Sequence, residues 1–494
     1  MRYLSFSFLL LSFALCSSTL EAQYTGAAPG NDQVSGTLTL QQAVEIALKN
    51  NLSVNSSDIS SQGFKIQFDQ SWEYMLPTIS ASGGQSINFG RSISSANNQY
   101  SSNQFESGNA GLNAGLTLFR GLQYQNGRKA ARYAYNASRQ DLQTQKDNIT
   151  LNVLLAYLLV LSNRDQLTLA IEQSRSDSIQ LQRVKAQNAE GNLIPLSGLT
   201  DLQGQYASDQ INIVSNINAL ENSKVSLFAL LNVPYNRDVQ YQNTVTTTDI
   251  SEYQSGSDSI FRKAITIIPG IESARLKVSQ YERLLAQARG AYFPTISLNA
   301  GVSTNWTNNP TPSSSTPTDS SFQKVALYDA SPNHNNLNYY GTQYTKFANT
   351  YPSWGDQFKN NRGENVGISV NIPILNGLQI RNQVRQAKLN LKTAQLNNAN
   401  IRNVLQQQVE NAFQNMIAAY KSYKFYIDQA KAYEESFRIT NIRFTEGVIT
   451  SDVYIQAKAR SDIAEVNLAA AKYIYIYRTK VLDYYQGRLQ LTGL

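Results

Sequence analysis

His334 is the only histidine and Cys16 the only cysteine among 494 residues. These are the side chains that most often ligate metals or act as nucleophiles, so the chain has little of that chemistry to offer. His334 sits in a stretch rich in Asn, Ser, Thr and Pro, where a histidine is ordinarily solvated. The 35 acidic residues are spread along helix-like segments with no pair at an evident cleft, and no nucleophile-elbow motif occurs. Neither an enzyme, a cofactor nor a bound metal is expected. The residues that ask for an explanation are instead Pro77, Gly121, Pro294 and Gly377, whose chemistry is conformational. Proline disfavours helix in the residue before it, and glycine admits the positive φ of a sharp turn.

The N-terminus bounds the class. Arg2, the apolar run Tyr3–Leu15 and Leu20-Glu21-Ala22 have the layout of an export signal, so residues 1-22 are expected to be removed. Lipid attachment at Cys16 is the rival reading, but Phe13-Ala14-Leu15 lack the small residue expected just before such a cysteine. Cleavage after Ala22 would leave no cysteine at all. The formal charge is +7 and the pI about 9.1, yet the basic residues are scattered and form no dense patch, so no nucleic acid partner is expected. Past the export signal, the nearest approach to a span is ITLNVLLAYLLVL (Ile149–Leu161), which is short and contains Asn152, arguing against a membrane-spanning helix.

The chain is a duplication. Gly121-Leu122-Gln123 recurs as Gly377-Leu378-Gln379, and Glu190-Gly191 as Glu446-Gly447, both at an offset of 256 residues. In each copy 69 residues separate the first glycine from the glutamate. Within that span Val153, Ala156, Val160, Leu167, Ile171 and Leu181 match Val409, Ala412, Met416, Tyr423, Ile427 and Phe437. Spacings of threes, fours and their sums mark a helix with a narrow apolar seam. At about 1.5 Å per residue such a helix is roughly 100 Å long, too long for a compact domain and suited to a coiled-coil wall. Upstream, Met75-Leu76-Pro77-Thr78-Ile79-Ser80 resembles Tyr292-Phe293-Pro294-Thr295-Ile296-Ser297, at an offset of 217. The surplus of the second copy falls in Thr307–Glu364, whose TNNPTPSSSTPTDSS composition reads as a long exposed loop.

Each copy also carries two segments that alternate between apolar and polar residues, expected as strands over 78-90 and 109-119, then 295-306 and 365-375. Ile79, Leu112, Leu116, Leu298, Val302, Val366, Ile368, Val370, Ile372 and Ile374 share one parity. Ser80, Ser82, Asn113, Thr117, Ser297, Asn299, Ser369 and Asn371 share the other. The lengths suit tilted strands crossing a bilayer with one oily and one wet face. Four strands give too little core for a sandwich, and in lipid no open edge is tolerated. The barrel must therefore be shared between chains, two copies giving eight strands and three giving twelve. Trp72, Tyr74, Tyr292 and Phe293 stand where an interfacial aromatic girdle belongs. Pro77 and Pro294 would end incoming helices at the membrane boundary, and Gly121 and Gly377 would turn strand into helix.

With these elements assembled, the sequence resembles the TolC family of outer-membrane efflux proteins. The matching stretches are the doubled Leu76-Pro77-Thr78 and Phe293-Pro294-Thr295, LTLFRGLQYQNGRKA (Leu116–Ala130), VNIPILNGLQIRNQVRQA (Val370–Ala387), FTEGVITSDVYIQAKA (Phe444–Ala459) and Leu491-Thr492-Gly493. The resemblance implies an α+β membrane protein that forms a homotrimer. Four transmembrane strands per chain would build a 12-stranded barrel, continued by a long α-helical tunnel. It implies location in the outer membrane of a Gram-negative bacterium, extending into the periplasm. The implied partners are outer-membrane lipid, a periplasmic adaptor (membrane fusion protein) and an inner-membrane pump of RND or ABC type. The expected layout is a first repeat over 23-234 (long helix 122-189, return helix 196-231) and a linker over 235-258 in the equatorial region. A second repeat over 259-494 has long helix 378-445 and return helix 451-489. Incoming helices are expected at Leu40–Met75 and Ser259–Tyr292.

The resemblance also implies adaptor contacts at the helical tips, around Gly191 and Asn192 and around Gly447 and Val448. The family often closes its tip with acids on the helix after the second turn. Asp452 matches one such position, whereas the next expected acid, near Ile455 or Gln456, is absent. Three copies of Asp452 would form one ring favouring cations; the alternative is an N-cap aspartate for the returning helix. The function implied is an export channel fed by a pump. A type I protein secretion channel is the alternative, with a trimeric surface adhesin a structural rival.

Overall fold

The computed structural model describes residues 34–90, 92–93, 100–101, 105–189, 196–243, 252–308, 314–327, 338–350 and 352–490. The expected export signal, Cys16, Gly191, Asn192, His334 and Leu491-Thr492-Gly493 lie outside the described residues. In chain order the first half runs β1 (Thr37–Leu38), α1 (Leu40–Asn50), α2 (Leu52–Glu73), β2 (Thr78–Asn88), β3 (Ser92–Ile93), β4 (Tyr100–Ser101), β5 (Phe105–Arg120), α3 (Gln123–Ala189) and α4 (Leu196–Leu231). The second half runs β6 (Gln240–Tyr241), α5 (Ser257–Ile267), α6 (Pro269–Gly290), β7 (Thr295–Thr307), β8 (Ser314–Leu327), β9 (Asn338–Thr350), α7 (Trp354–Asn360), β10 (Gly363–Asn371), α8 (Gln379–Thr445) and α9 (Ser451–Tyr485). Among the described residues, no helix is long and apolar enough to cross a membrane.

The duplication is written into the element lengths. α1 and α5 each have 11 residues, α2 and α6 each 22, and α3 and α8 each 67. Each expected incoming helix is in fact two helices, broken at Asn51 and at Ile268. Both break residues are extended, with ψ 126° and 121°. At Ile268 the cause is Pro269, which bars helical backbone in the residue before it. At Asn51 no proline follows; its side chain instead accepts from Ser53 N at 3.0 Å, starting α2, and donates to Leu230 O at 3.0 Å.

The chain divides into two compact units. One comprises Met1–Lys65, Tyr133–Ser279 and Lys392–Leu494; the other comprises Ile66–Arg132 and Gln280–Leu391. The first unit is helical. Its largest core joins Leu40, Ala43 and Ala47 of α1 to Val153, Leu154, Tyr157 and Leu161 of α3 and Leu227 and Leu231 of α4, all buried. Thr39 caps α1 in a reciprocal box with Gln42. β1 and β6 pair in parallel, and the Tyr157 hydroxyl lies 2.9 Å from the carbonyls of both Leu38 and Gln242, tying the linker to α3. The expected seam holds at Val153, Val160, Leu181, Val409 and Met416, all buried. It fails at Ile171, which is 49% exposed. Beyond Ala170 the buried row continues through Ser174, Asp177, Leu181 and Val184, so two seam positions are polar and the apolar pattern points to the wrong neighbour.

The second unit carries a four-stranded antiparallel sheet in the order β10-β7-β5-β2. β10 stops at Asn371, short of the expected 375: Pro373 cannot donate to a ladder, and Ile374 is 95% exposed. The segment expected as a long loop is the larger correction. It holds the antiparallel pair β8 and β9, from Ser314↔Thr350 to Leu327↔Asn338, followed by α7. Thr, Val, Phe and Tyr along both segments favour strands, a preference hidden by the Asn, Ser and Pro around them.

Candidate functional site

The sheet register sorts its residues into rows. Ile79, Ala114, Ala300 and Val366 stand opposite one another across the four strands, as do Leu116, Leu298 and Ile368 across three. On either side of these rows run Ser80, Asn113, Gly301 and Asn365, and Thr117, Ser297 and Ser369. One face is thus aliphatic and exposed, with Val366 at 79% and Ile368 at 68%. The other is lined by hydroxyls and amides, with Asn299 Nδ2 donating to Ser369 Oγ at 3.1 Å. Gly301 leaves room there for two amides: a Cβ would meet Asn365 Oδ1 at 2.7 Å and Asn113 Oδ1 at 3.2 Å, so both side chains would have to turn away. β2 and β10 are the outer strands of the sheet.

Helix α2 ends at Glu73 and α6 at Gly290, and the strands begin at Thr78 and Thr295, directly after Pro77 and Pro294. At the other end of each repeat, strand and long helix are joined by two consecutive left-handed residues. Gly121 has φ 54° and Leu122 58°; Gly377 has φ 62° and Leu378 61°. Left-handed leucine costs roughly 1–2 kcal/mol, so the turn is imposed by what flanks it.

In the helical unit, α8 closes with Gly447 at φ 68°, Gly447 N donating to Phe444 O and Val448 N to Arg443 O at 2.9 Å. This is a Schellman ending, and Val448 is left exposed. The N-cap of α9 is Thr450, so the N-cap reading of Asp452 is corrected: Asp452 is in the first turn and fully exposed. The Thr450 side chain, followed by backbone N–H groups, holds its carboxyl below the usual carboxylate range. Asp452 and Gln456 share an exposed face, whereas Ile455 is half-buried against the core of Leu181, Val184, Leu202 and Tyr454.

A buried charged cluster beneath this turn was not anticipated from the sequence. Lys458 Nζ lies 2.5 Å from Asp462 Oδ2 and 3.5 Å from Asp177 Oδ2, with the Lys458 and Asp177 side chains 2% and 1% exposed. Asp209 of α4 is also buried, and its Oδ1 accepts from Gln205 at 3.0 Å. One ammonium faces three carboxyls. Burial, then a hydrogen bond with Asp209, pushes Asp177 up to about 8. With both acids ionised, neither Asp177 oxygen nor Asp209 Oδ2 has a hydrogen-bond partner. A proton held between them supplies one. Burial opposes charge on Lys458, but Asp462 and Asp177 outweigh it and raise its pKa. Among the described residues no group of His, Cys, Asp and Glu is disposed to hold a metal ion. The only sequence signal was the i,i+4 pair Lys458 and Asp462; Asp177 and Asp209 lie on other helices.

The pattern of the family described as "Outer membrane efflux protein" matches residues 43–233 and 262–480. The chain is 23% identical over 341 residues to the outer membrane protein TolC of Escherichia coli K12, covering 68% of this chain and 60% of that protein's length. Among solved structures, VceC of Vibrio cholerae superposes with TM-score 0.69 at 12% identity, covering 91% of this chain and 96% of that one. The CmeC outer membrane channel of Campylobacter jejuni gives 0.67 at 18% identity, over 92% and 86%. With the doubled helix–strand–helix order, the two-faced sheet and these matches in view, the chain belongs to the outer membrane efflux protein family.

Proposed function

We propose that the chain is one subunit of a homotrimeric export channel in the outer membrane of a Gram-negative bacterium. The sheet carries this reading. Within the chain, β5 at the end of the first repeat pairs with β7 at the start of the second. Shifted by the repeat offsets, the same pairing sets β10 against β2 of another copy, and those are the two outer strands. Three copies close twelve strands, with the aliphatic rows toward lipid and the Ser, Thr and Asn rows toward a wet lumen. The long helices form the tunnel in the periplasm. The segment around Gly191 and Asn192 and the turn at Gly447-Val448 dock on a periplasmic adaptor that couples the channel to an RND or ABC pump. Asp452 lines the entrance as one acidic ring.

Closure is tested by cysteine pairs. The Gly115↔Asn299 pair of β5 and β7 maps onto Asn371 and Ser82 of neighbouring copies. Ser82→Cys with Asn371→Cys is expected to give covalent trimers on a non-reducing gel; purely monomeric product would defeat the closure. Channel activity is read as conductance in planar bilayers, where Asp452→Ala is expected to weaken cation preference. An unchanged preference would remove Asp452 from the entrance.

A further inference from the structure

Helix α7 is fastened to the sheet by an unusual set of polar contacts. Gln357 is buried, its Oε1 accepting from Thr307 N and its Nε2 donating to Thr307 O, both at 2.9 Å, so a side-chain amide replaces a neighbouring strand. Thr304 Oγ1 donates to Phe358 O at 2.7 Å, and Asn361 Nδ2 to Asn305 O at 2.8 Å. Thr304 shares its parity with Ile296, Leu298, Ala300 and Val302, so α7 lies on the aliphatic face. The Ser353–Asp356 capping box fixes its start.

The helix is inverted relative to one on a water-facing surface. Its polar residues Gln357 and Asn361 face the protein, while Trp354 and Phe358 stack on each other 5.4 Å apart and stand 59% and 38% exposed. Aromatic side chains presented outward from a polar attachment suit a lipid interface. Between α7 and the sheet lies an open groove of about 510 Å³, floored by Ala81, Ala110, Leu112 and Val302, with Phe358 at its wall and Lys359 and Arg362 at its rim. This is the size range of small-molecule sites, roughly 300–1,000 Å³.

We infer that α7 is an interfacial anchor seating Trp354 and Phe358 in the outer leaflet, and that the groove beneath it holds one acyl chain of a membrane lipid. The inference rests on the outer-membrane placement proposed above. The occupant is chosen by its tail. Arg362 pairs with Glu364 at 3.0 Å, and Lys359 faces Asp356, so the four charges around the rim sum to zero. The aliphatic stems of Lys359 and Arg362 lie along the chain, and their heads reach the headgroup layer.

The test uses Trp72→Phe with Trp306→Phe, leaving Trp354 as the reporter, reconstituted in phosphatidylcholine vesicles with acyl chains brominated near the ester end. Strong quenching of Trp354 is expected, equal in brominated phosphatidylglycerol. Emission insensitive to the brominated chains would overturn the anchor, and quenching confined to the anionic lipid would overturn selection by the tail. Ala110→Phe fills the groove and is expected to remove a lipid adduct that wild-type protein keeps in native mass spectra. An adduct unchanged in that variant, or absent from wild type, would overturn the groove. Conductance of the same preparations reports the channel separately, so a lost adduct with intact conductance is a lost site and not a lost fold.

Discussion

The two strand-to-helix junctions share a backbone and differ in everything around it. At Gly121 a Cβ would lie 2.0 Å from Gly290 O, and a Cβ at Gly290 would lie 2.3 Å from Gly121 O, so two glycines permit one close approach. At Gly377, with nearly the same φ, no atom of the same chain lies within 4 Å. The repeat offset explains the contrast. The counterpart of Gly290 is Glu73, which in the proposed ring belongs to the next copy. Glu73 carries a Cβ of its own, so the backbones at that junction cannot come as close. Duplication copied the turn; the packing inside the chain was refined separately.

The largest expected effect separates these two glycines. Gly121→Ala is expected to cost more than about 4 kcal/mol, the range reserved for severe backbone and packing conflicts, and to abolish the folded trimer. Gly377→Ala is expected to cost only about 1–2 kcal/mol, the penalty of a left-handed residue. Thermal resistance of the trimer on gels ranks them, and equal losses would break the contrast.

A second difference between the repeats lies at the helix after each turn. The residue 256 before Lys458 is Leu202, which is also fully buried. One copy fills the site with leucine, the other with an ammonium among three acids. Lys458→Met is expected to destabilise by about 3–5 kcal/mol, because Asp462 and the proton-sharing pair Asp177 and Asp209 are left without their counter-charge. Adding Asp177→Asn and Asp462→Asn should recover most of that loss in thermal unfolding. If the single variant melted like wild type, the lysine would be dispensable to α9.

The same cluster predicts a pH dependence with a definite sign. Asp177 has its pKa raised from 3.8 to about 8, so between those values the folded state holds a proton that the unfolded state has released. Its contribution to stability therefore falls as pH rises through that window and levels off above about 8. Asp177→Asn is expected to flatten the fall. Hydrogen exchange of α3 around Ser174–Val184, followed across this pH range, reads it, and an unchanged slope in the variant would place the proton elsewhere.

These comparisons also show what a sequence discloses. The duplication, the strand faces and the junction glycines were legible because each rests on a local period or a residue with a unique backbone role. The helix break at Ile268 is equally legible, since Pro269 stands in the sequence, but the apolar spacing on both sides of it mimics one continuous helix. The cluster of Asp177, Asp209, Lys458 and Asp462 was not legible, because burial of a charge is decided by which helices meet. The seam drift past Ile171 has the same origin: Ser174 and Asp177 occupy buried positions that an apolar pattern cannot mark. α7 was missed because its anchoring glutamine and threonines look like loop residues until they are paired.

The smallest expected effect concerns the two helix breaks, which reach one geometry by different means. Asn51 works through contacts: its carbonyl oxygen caps α2 and its amide holds Leu230 O. Pro269 works by exclusion, and its ring needs no partner. Asn51→Ala should therefore cost about 1 kcal/mol, as the loss of a cap does. Pro269→Ala should cost less than about 1 kcal/mol, mainly through a freer unfolded chain. Ile268 N would still bond Ala264 O, and Ile260, Ala264 and Ile271 would still bury against Val409 and Met416 on both sides of the break. Chemical denaturation of the two variants in parallel measures the difference. A larger loss at Pro269 would mean that the bend in the second repeat is held by the ring alone, and that the core beneath it only follows.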